Sequence, residues 1–226
     1  MQLEGTTGNE RNWKHACAWV LVGAVLSALT LHAIYWLATQ GFLRRLDPIL
    51  LQAAHQATPQ DSTFGLFLMG WSKLVTAPVI WPFLGFLSWI FWRKKRLHDA
   101  IGFLCAVSMP AIVALAAKSI YDVGRPSVSW AVESHWSSAY PSGHIAIIFT
   151  VFGLAGYIGW RQGRGALWTL GAIAVTIVAA VLMGYSRVVL GAHFFSDVLG
   201  GAVLGFIWLP VSIAITRALQ PKGHKV

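Results

Sequence analysis

Between two long apolar runs the sequence places "SRVVLGAHFFSD", Ser186 to Asp197. His193 and Asp197 are four residues apart, a spacing that puts both on one face of a helix. A carboxylate hydrogen-bonded to one imidazole nitrogen fixes the tautomer and leaves the other nitrogen free to attack. Two other segments offer matching chemistry. "KSIYDVGRP" carries Lys118, Arg125 and Pro126, and "PSGH" spans Pro141 to His144. Guanidinium forks at Arg125 and Arg187 suit phosphate oxygens, and Lys118 adds a mobile point charge. "PSGH" stands where a helix should begin. Ser142 can cap it, Gly143 lets the backbone approach closely, and free N–H groups there favour an anion. His144 can donate a proton to a leaving oxygen. Phosphoryl transfer asks mainly for positioning and charge stabilisation, and this set supplies both without a metal ion.

The elements that must hold these residues are membrane helices. Of the 226 residues, 56% are hydrophobic and only 11% charged, against about 25% charged in ordinary soluble domains. Apolar runs near the length of a bilayer span recur. Six spans are expected: about Ala16 to Ala38, a run within Phe64 to Trp92 that Pro78 and Pro82 can kink, Ala100 to Ala117, His144 to Trp160, Ala166 to Gly184, and Val198 to Ile215. The first apolar run is long for a signal peptide and lacks a clear cleavage site, so it is read as a retained helix. The expected fold is all-α, a polytopic six-helix bundle forming one domain over residues 1–226, with its motifs in residues 118–197. Cys17 and Cys105 fall inside apolar runs and read as small buried hydrophobes, with no metal site or disulfide framework.

Charge orients the bundle. If the spans alternate, eleven of the 17 lysines and arginines fall on one side: Arg11, Lys14, the run Arg93 to Arg96, Arg161, Arg164, Arg217, Lys222 and Lys225. That side should be cytoplasmic, with both termini inside. The net charge of +9 is then explained by span flanks, and nucleic acid is not an expected partner. Arg44, Arg45, Lys73, Lys118, Arg125 and Arg187 remain outside, where positive charge is disfavoured. Taken singly, each of the last three reads as an anchor that snorkels to headgroups, and His193 reads as a packed histidine. As a set on one face they read as a phosphate site.

The same residues resemble the three-part signature of the type 2 phosphatidic acid phosphatase family. Lys118, six residues, then Arg125-Pro126 matches the first motif. Pro141 to His144 matches the second, and Ser186-Arg187, His193 and Asp197 match the third. Many members carry Arg-Pro-Arg-Pro in the first motif, whereas Val123 and Gly124 precede Arg125 here. The resemblance implies a metal-independent integral membrane phosphatase, without a cofactor, acting on a lipid phosphate or diphosphate through a phosphohistidine. It makes His193 the nucleophile, Asp197 its partner and His144 the acid for the leaving group. Lys118, Arg125, Ser142, Gly143 and Arg187 would hold the phosphate. It further suggests a bacterial inner membrane with the site facing outward. Undecaprenyl diphosphate, phosphatidic acid, phosphatidylglycerol phosphate and lipid A phosphates are candidate substrates. Transfer to another lipid and non-catalytic binding or transport are the competing functions.

Outside the motifs, "LDPILLQAAHQA" suggests a short amphipathic helix at the interface, capped by Asp47 with Pro48 at its first position. Glu133 and His135 could select a headgroup. Trp130, Trp136 and Tyr185 read as interface residues. Gly201 and Gly205 stand at helix-packing spacing. Asp122, His32 and Lys73 receive no role.

Overall fold

Backbone polar groups in a bilayer must be satisfied within the segment that carries them, which leaves long apolar segments little choice but helix. The computed structural model describes residues 3–132 and 138–220, with the side chains of residues 3–12 and of Ala77 excepted. Among the described residues there are eight α-helices and no strand. They are α1 (Leu3–Thr39), α2 (Leu43–Ala57), α3 (Thr63–Ser72), α4 (Ala77–Arg93), α5 (Leu97–Tyr121), α6 (Gly143–Arg161), α7 (Gly165–Val189) and α8 (Phe195–Ala218), with one 3₁₀ turn at Lys73–Val75.

Five helices are long and apolar enough to cross a membrane: α1 from Trp13 onward, α5, α6, α7 and α8. The sixth span is divided. Thr63–Val75 and Pro78–Arg93 meet at an angle of 57°. The bend expected in this run is thus present beside Pro78, as a full break in the helix, while Pro82 lies inside the second half. The chain leaves the helix at Thr76, whose backbone is extended, and Pro78 sits in the first turn of the new helix, where a missing N–H costs nothing. Ser62 starts the first half by accepting a hydrogen bond from Gly65 N at 3.0 Å.

Helix α8 runs through the middle of the bundle, packed on α1, α5 and α6. Lipid tails are as apolar as leucine, so close packing and interhelical hydrogen bonds hold such helices together. Trp208 of α8 is buried and donates from Nε1 to Ser27 Oγ of α1 at 3.1 Å. Thr150 of α6 donates to Ala106 O of α5 at 2.5 Å. A Cβ on Gly201 would overlap the Ser142 carbonyl, and one on Gly205 would press on Phe149. Both glycines thus let α8 lie directly against the start of α6. Leu115, Leu167, Leu170 and Val181 face outward, as suits a surface solvated by lipid.

The helices alternate in direction. One pole collects the start of α5 and the end of α6, where Asp99 pairs with Arg96 and Arg161. Ala16 near the start of the first span and Ala218 at the end of α8 belong to one apolar cluster. The opposite pole collects the end of α5, the start of α6, the end of α7 and the start of α8. Those are the four ends that carry the motifs.

Helix α2 is amphipathic and lies outside the spans, as expected. Its start is not. The helix begins at Leu43, Phe42 occupies the cap position without a side-chain bond, and Pro48 lies inside the helix. Asp47 therefore does not cap α2; its carboxylate binds Ser196 at the start of α8.

Candidate active site

Four helix ends and two loops build the site. Lys118 lies in the last turn of α5. Its ammonium donates to the Ser138 carbonyl and, at 3.3 Å, to that of Ala139. Val123 N donates to Ser138 Oγ at 2.9 Å, and Ala139 N to Val123 O at 2.8 Å. These bonds tie the two ends of the α5–α6 connection to each other, beside Lys118. Arg125 leaves the same stretch and donates to Ala192 O at 2.8 Å. The first motif is thereby fastened to the third.

Arg187 occupies the last turn of α7 and is fully buried. Its carbonyl accepts from Ala192 N at 3.0 Å and His193 N at 3.2 Å. Between them Gly191 has φ +67°, a left-handed conformation that glycine adopts without steric cost. This tight turn swings the chain from α7 to His193. The sequence spacing suggested His193 and Asp197 on one helical face, but α8 begins only at Phe195. His193 sits two residues before the helix and still reaches Asp197, with Nδ1 3.3 Å from Oδ2. The same carboxylate oxygen accepts Phe194 N at 2.9 Å. Both residues are buried, and Asp197 lies in the first turn of α8, where the helix dipole favours negative charge.

Ser142 is at the cap position of α6, as the sequence suggests, but its side chain makes no capping bond. It is fully buried, and its Oγ has no hydrogen-bond partner among the described residues. Ser142 N donates to Asp197 O at 3.0 Å, locking the second motif to the third.

A cavity of about 310 Å³ brings the chemistry together. Lys118, Arg125, Gly143, His144, Arg187 and His193 line its polar part, while Val75, Ala111, Ala114, Leu115 and Ile147 line the rest. This is near the lower end of ligand-site volumes, about 300–1,000 Å³. Six of the eight site residues read from the sequence meet on one wall. Asp197 lies behind His193, on a separate cavity, and Ser142 lies outside the wall as well. A larger cavity of about 750 Å³ among α2, α6, α7 and α8 has an apolar wall and no charged residue.

The arrangement can hold a tetrahedral anion between three cations while an oriented imidazole faces it. Among the described residues no three His, Cys, Asp or Glu side chains are grouped to hold a metal ion. Residues 99–221 match the PAP2 superfamily model, more than half of the chain.

The chain belongs to the PAP2 superfamily.

Among the relatives of this PAP2 protein is the Escherichia coli (strain K12) protein described as "Putative undecaprenyl-diphosphatase YbjG". It is 26% identical over 78% of this chain and 83% of its own. Lipid phosphate phosphatase gamma of Arabidopsis thaliana is 30% identical over 62% of this chain and 61% of its own length. The crystal structure of a transmembrane PAP2-type phosphatidylglycerolphosphate phosphatase from Bacillus subtilis shares the fold. Its TM-score is 0.75 at 21% identity, covering 88% of this chain and 98% of that one.

Several residues outside the motifs are clarified. Trp130, read as an interface marker, stacks on His55 with ring centroids 4.1 Å apart. Tyr185 OH shares a hydrogen bond with Thr58 Oγ1 at 2.8 Å. Asp122 ends α5 with a left-handed φ of 43°. Glu133, His135 and Trp136 fall outside the described residues. Sequence reasoning missed the Asp47–Ser196 pair, whose members are 149 residues apart. It also missed the Asp99 cluster. For Asp99 a signal existed: an acid at the start of an apolar run, beside a basic loop.

Proposed function

We propose that this multi-pass membrane protein hydrolyses the terminal phosphate of a lipid phosphate or diphosphate through a phosphohistidine. The observation that carries the reading is the meeting of Lys118, Arg125, Arg187, His144 and His193 on one cavity whose remaining wall is apolar. The cations take the phosphate oxygens, and the apolar wall takes the first part of the tail. His193, held through Nδ1 by Asp197, attacks phosphorus from Nε2. The phosphorus–oxygen bond to the lipid breaks, its electron pair stays on the lipid oxygen, and His144 supplies the proton. Water then attacks the phosphohistidine and gives a proton back to His144. Inorganic phosphate leaves and His193 is restored. Gly143 lets phosphate approach the start of α6, and Ser142 orders that turn.

Three cations supply the charge stabilisation that a divalent ion gives in other phosphatases, so the reaction proceeds without one. The curated bacterial relative favours undecaprenyl diphosphate as the first substrate to try, with phosphatidic acid and phosphatidylglycerol phosphate beside it. The site faces outward from a bacterial inner membrane, because the opposite pole carries the denser set of basic flanks.

The test is phosphate release by the purified protein from each lipid, with and without excess chelator. Release from at least one lipid, undiminished by EDTA, is expected. No release from any of them would overturn the hydrolase reading. Loss with EDTA that a divalent ion restores would overturn the metal-free mechanism.

A further inference from the structure

The first turn of every α-helix leaves backbone N–H groups without intrahelical partners. A side chain at the cap position often serves one of them. In α8 that position is Phe194, which has no acceptor in its side chain. Two carboxylates do the work instead. Asp197 accepts Phe194 N at 2.9 Å. Asp47, reaching across from α2, accepts Ser196 N at 2.9 Å through Oδ1 and Ser196 Oγ at 2.7 Å through Oδ2.

Asp47 is only 6% exposed, although it belongs to a helix outside the spans. Burial pushes its carboxyl above the usual carboxylate range, the two Ser196 bonds oppose that shift, and nearby Asp197 adds to it. A buried carboxylate is held at such a place only by donors aimed at it. The far end of α2 is fastened too. Thr58 bonds Tyr185 of α7, and Gln60 Nε2 donates to Trp130 O at 3.0 Å and Val189 O at 3.2 Å. Helix α2 therefore braces the end of α7 and the start of α8, on either side of the turn that presents His193. From the other side Ser142 N grips Asp197 O. The backbone around the Asp197 carboxylate is thus fixed from α2 and from α6.

We infer that Asp47 is a positioning residue for phosphoryl transfer: by capping α8 from α2 it aims the Asp197 carboxylate, and through it the His193 imidazole, at the bound phosphate. The inference rests on the phosphatase reading given above. Asp47 lies outside the wall of the phosphate cavity, so its loss acts on turnover and leaves phosphate binding intact. Displacements of about 1 Å in a catalytic group cost on the order of a hundredfold in rate.

The experiment uses the full chain in detergent micelles with dioctanoyl phosphatidic acid as probe. It compares Asp47→Ala, Asp47→Asn, Ser196→Ala and Ile49→Ala, and follows kcat, KM and the thermal midpoint. Asp47→Ala should lower kcat about tenfold to a hundredfold with KM within about twofold. Asp47→Asn can still accept Ser196 N and can donate to Ser196 Oγ, so it should recover kcat to within about threefold of the parent. Ser196→Ala keeps the backbone bond and should fall between the two. Ile49→Ala, on the exposed face of the same helix, should match the parent. A parental kcat in Asp47→Ala overturns the inference, as does a defect confined to KM or a kcat loss that Asp47→Asn does not repair. Should Asp47→Ala fail to fold, Ser196→Ala decides: a parental kcat there sinks the proposal. A His193→Ala control separates the two claims. If that protein keeps full activity the phosphohistidine reading falls, whereas an inactive control with parental Asp47 variants removes only the positioning role.

Discussion

The two poles of the bundle treat charge in opposite ways. At one, Arg96 and Arg161 each stand 2.5 Å from the fully buried Asp99 carboxylate. Two guanidinium groups share one acid, and the cluster joins the start of α5 to the end of α6. At the other, Lys118, Arg125 and Arg187 surround a cavity whose wall, among the described residues, carries no carboxylate. The first arrangement is complete in itself and works as a lock. The second gathers cations around an open volume, which the proposed reading fills with the lipid phosphate. A carboxylate standing between two arginines makes a structural tie, and cations that line an open volume are the place to test for a phosphate site.

The strongest way to break this contrast is at the pole with the cavity. His193→Ala should lower phosphate release by roughly 10⁴-fold or more, and rapid quench should trap no acid-labile phosphate on the protein. His144→Ala should be comparably slow on lipid substrates but partly recover with nitrophenyl phosphate, whose leaving group needs little protonation. Equal recovery in both variants would reverse their assigned roles.

The lock should fail differently. Asp99→Ala leaves two arginines facing each other across a buried gap, which costs about 3 kcal/mol of stability. The lower end of the usual range applies because Arg96 is a quarter exposed. Denaturation midpoints should fall while kcat per folded molecule stays at the parental value. A folded Asp99→Ala protein with lost turnover would show that this pole, too, serves the reaction.

A milder change sharpens the distinction. Arg125→Lys keeps the charge at the cavity and removes the guanidinium fork. Its bond to Ala192 O is replaced by a single mobile ammonium. KM should rise about tenfold with a smaller change in kcat. An unchanged KM would mean that Arg125 serves only to fasten the loop.

The smallest expected effect on activity belongs to an orientation probe. Ser129 is exposed between the first and second motifs. In a background with Cys17 and Cys105 replaced, Ser129→Cys should keep parental turnover and react with an impermeant thiol reagent in intact spheroplasts. Labelling only after lysis would place the cation-rich cavity in the cytoplasm.

Much of this pattern was legible before any fold was known. Span positions follow from hydropathy over about 20 residues, a local property. The ends of α5, α6, α7 and α8 lie within a few residues of the expected limits. The cluster of Lys118, Arg125, Gly143, His144, Arg187 and His193 followed from motif order and alternating spans. What stayed hidden depends on distant partners. Asp47-Pro48 looks like a helix start because that dipeptide usually is one. Only the approach of α8 reveals that Ser196 competes for the carboxylate. The bend at Thr76 is similar. Two prolines advertised a kink, yet the break falls before Pro78, where a proline fits most easily into a new helix. Placing His193 and Asp197 on one helix found the right pair by the wrong geometry, since the turn at Gly191 ends just short of α8.

If the cavity takes a lipid phosphate as proposed, its apolar side has a kinetic consequence. Ala111, Ala114 and Leu115 form part of its wall, and Leu115, like its neighbour Ile112, faces the lipid, at 67% and 61% exposure. A headgroup that enters along this wall arrives from within the leaflet, by lateral diffusion in two dimensions. The quantity that sets occupancy is then the number of substrate molecules per area of membrane. Diluting vesicles at a fixed lipid ratio should then leave turnover unchanged, whereas adding inert lipid should slow it.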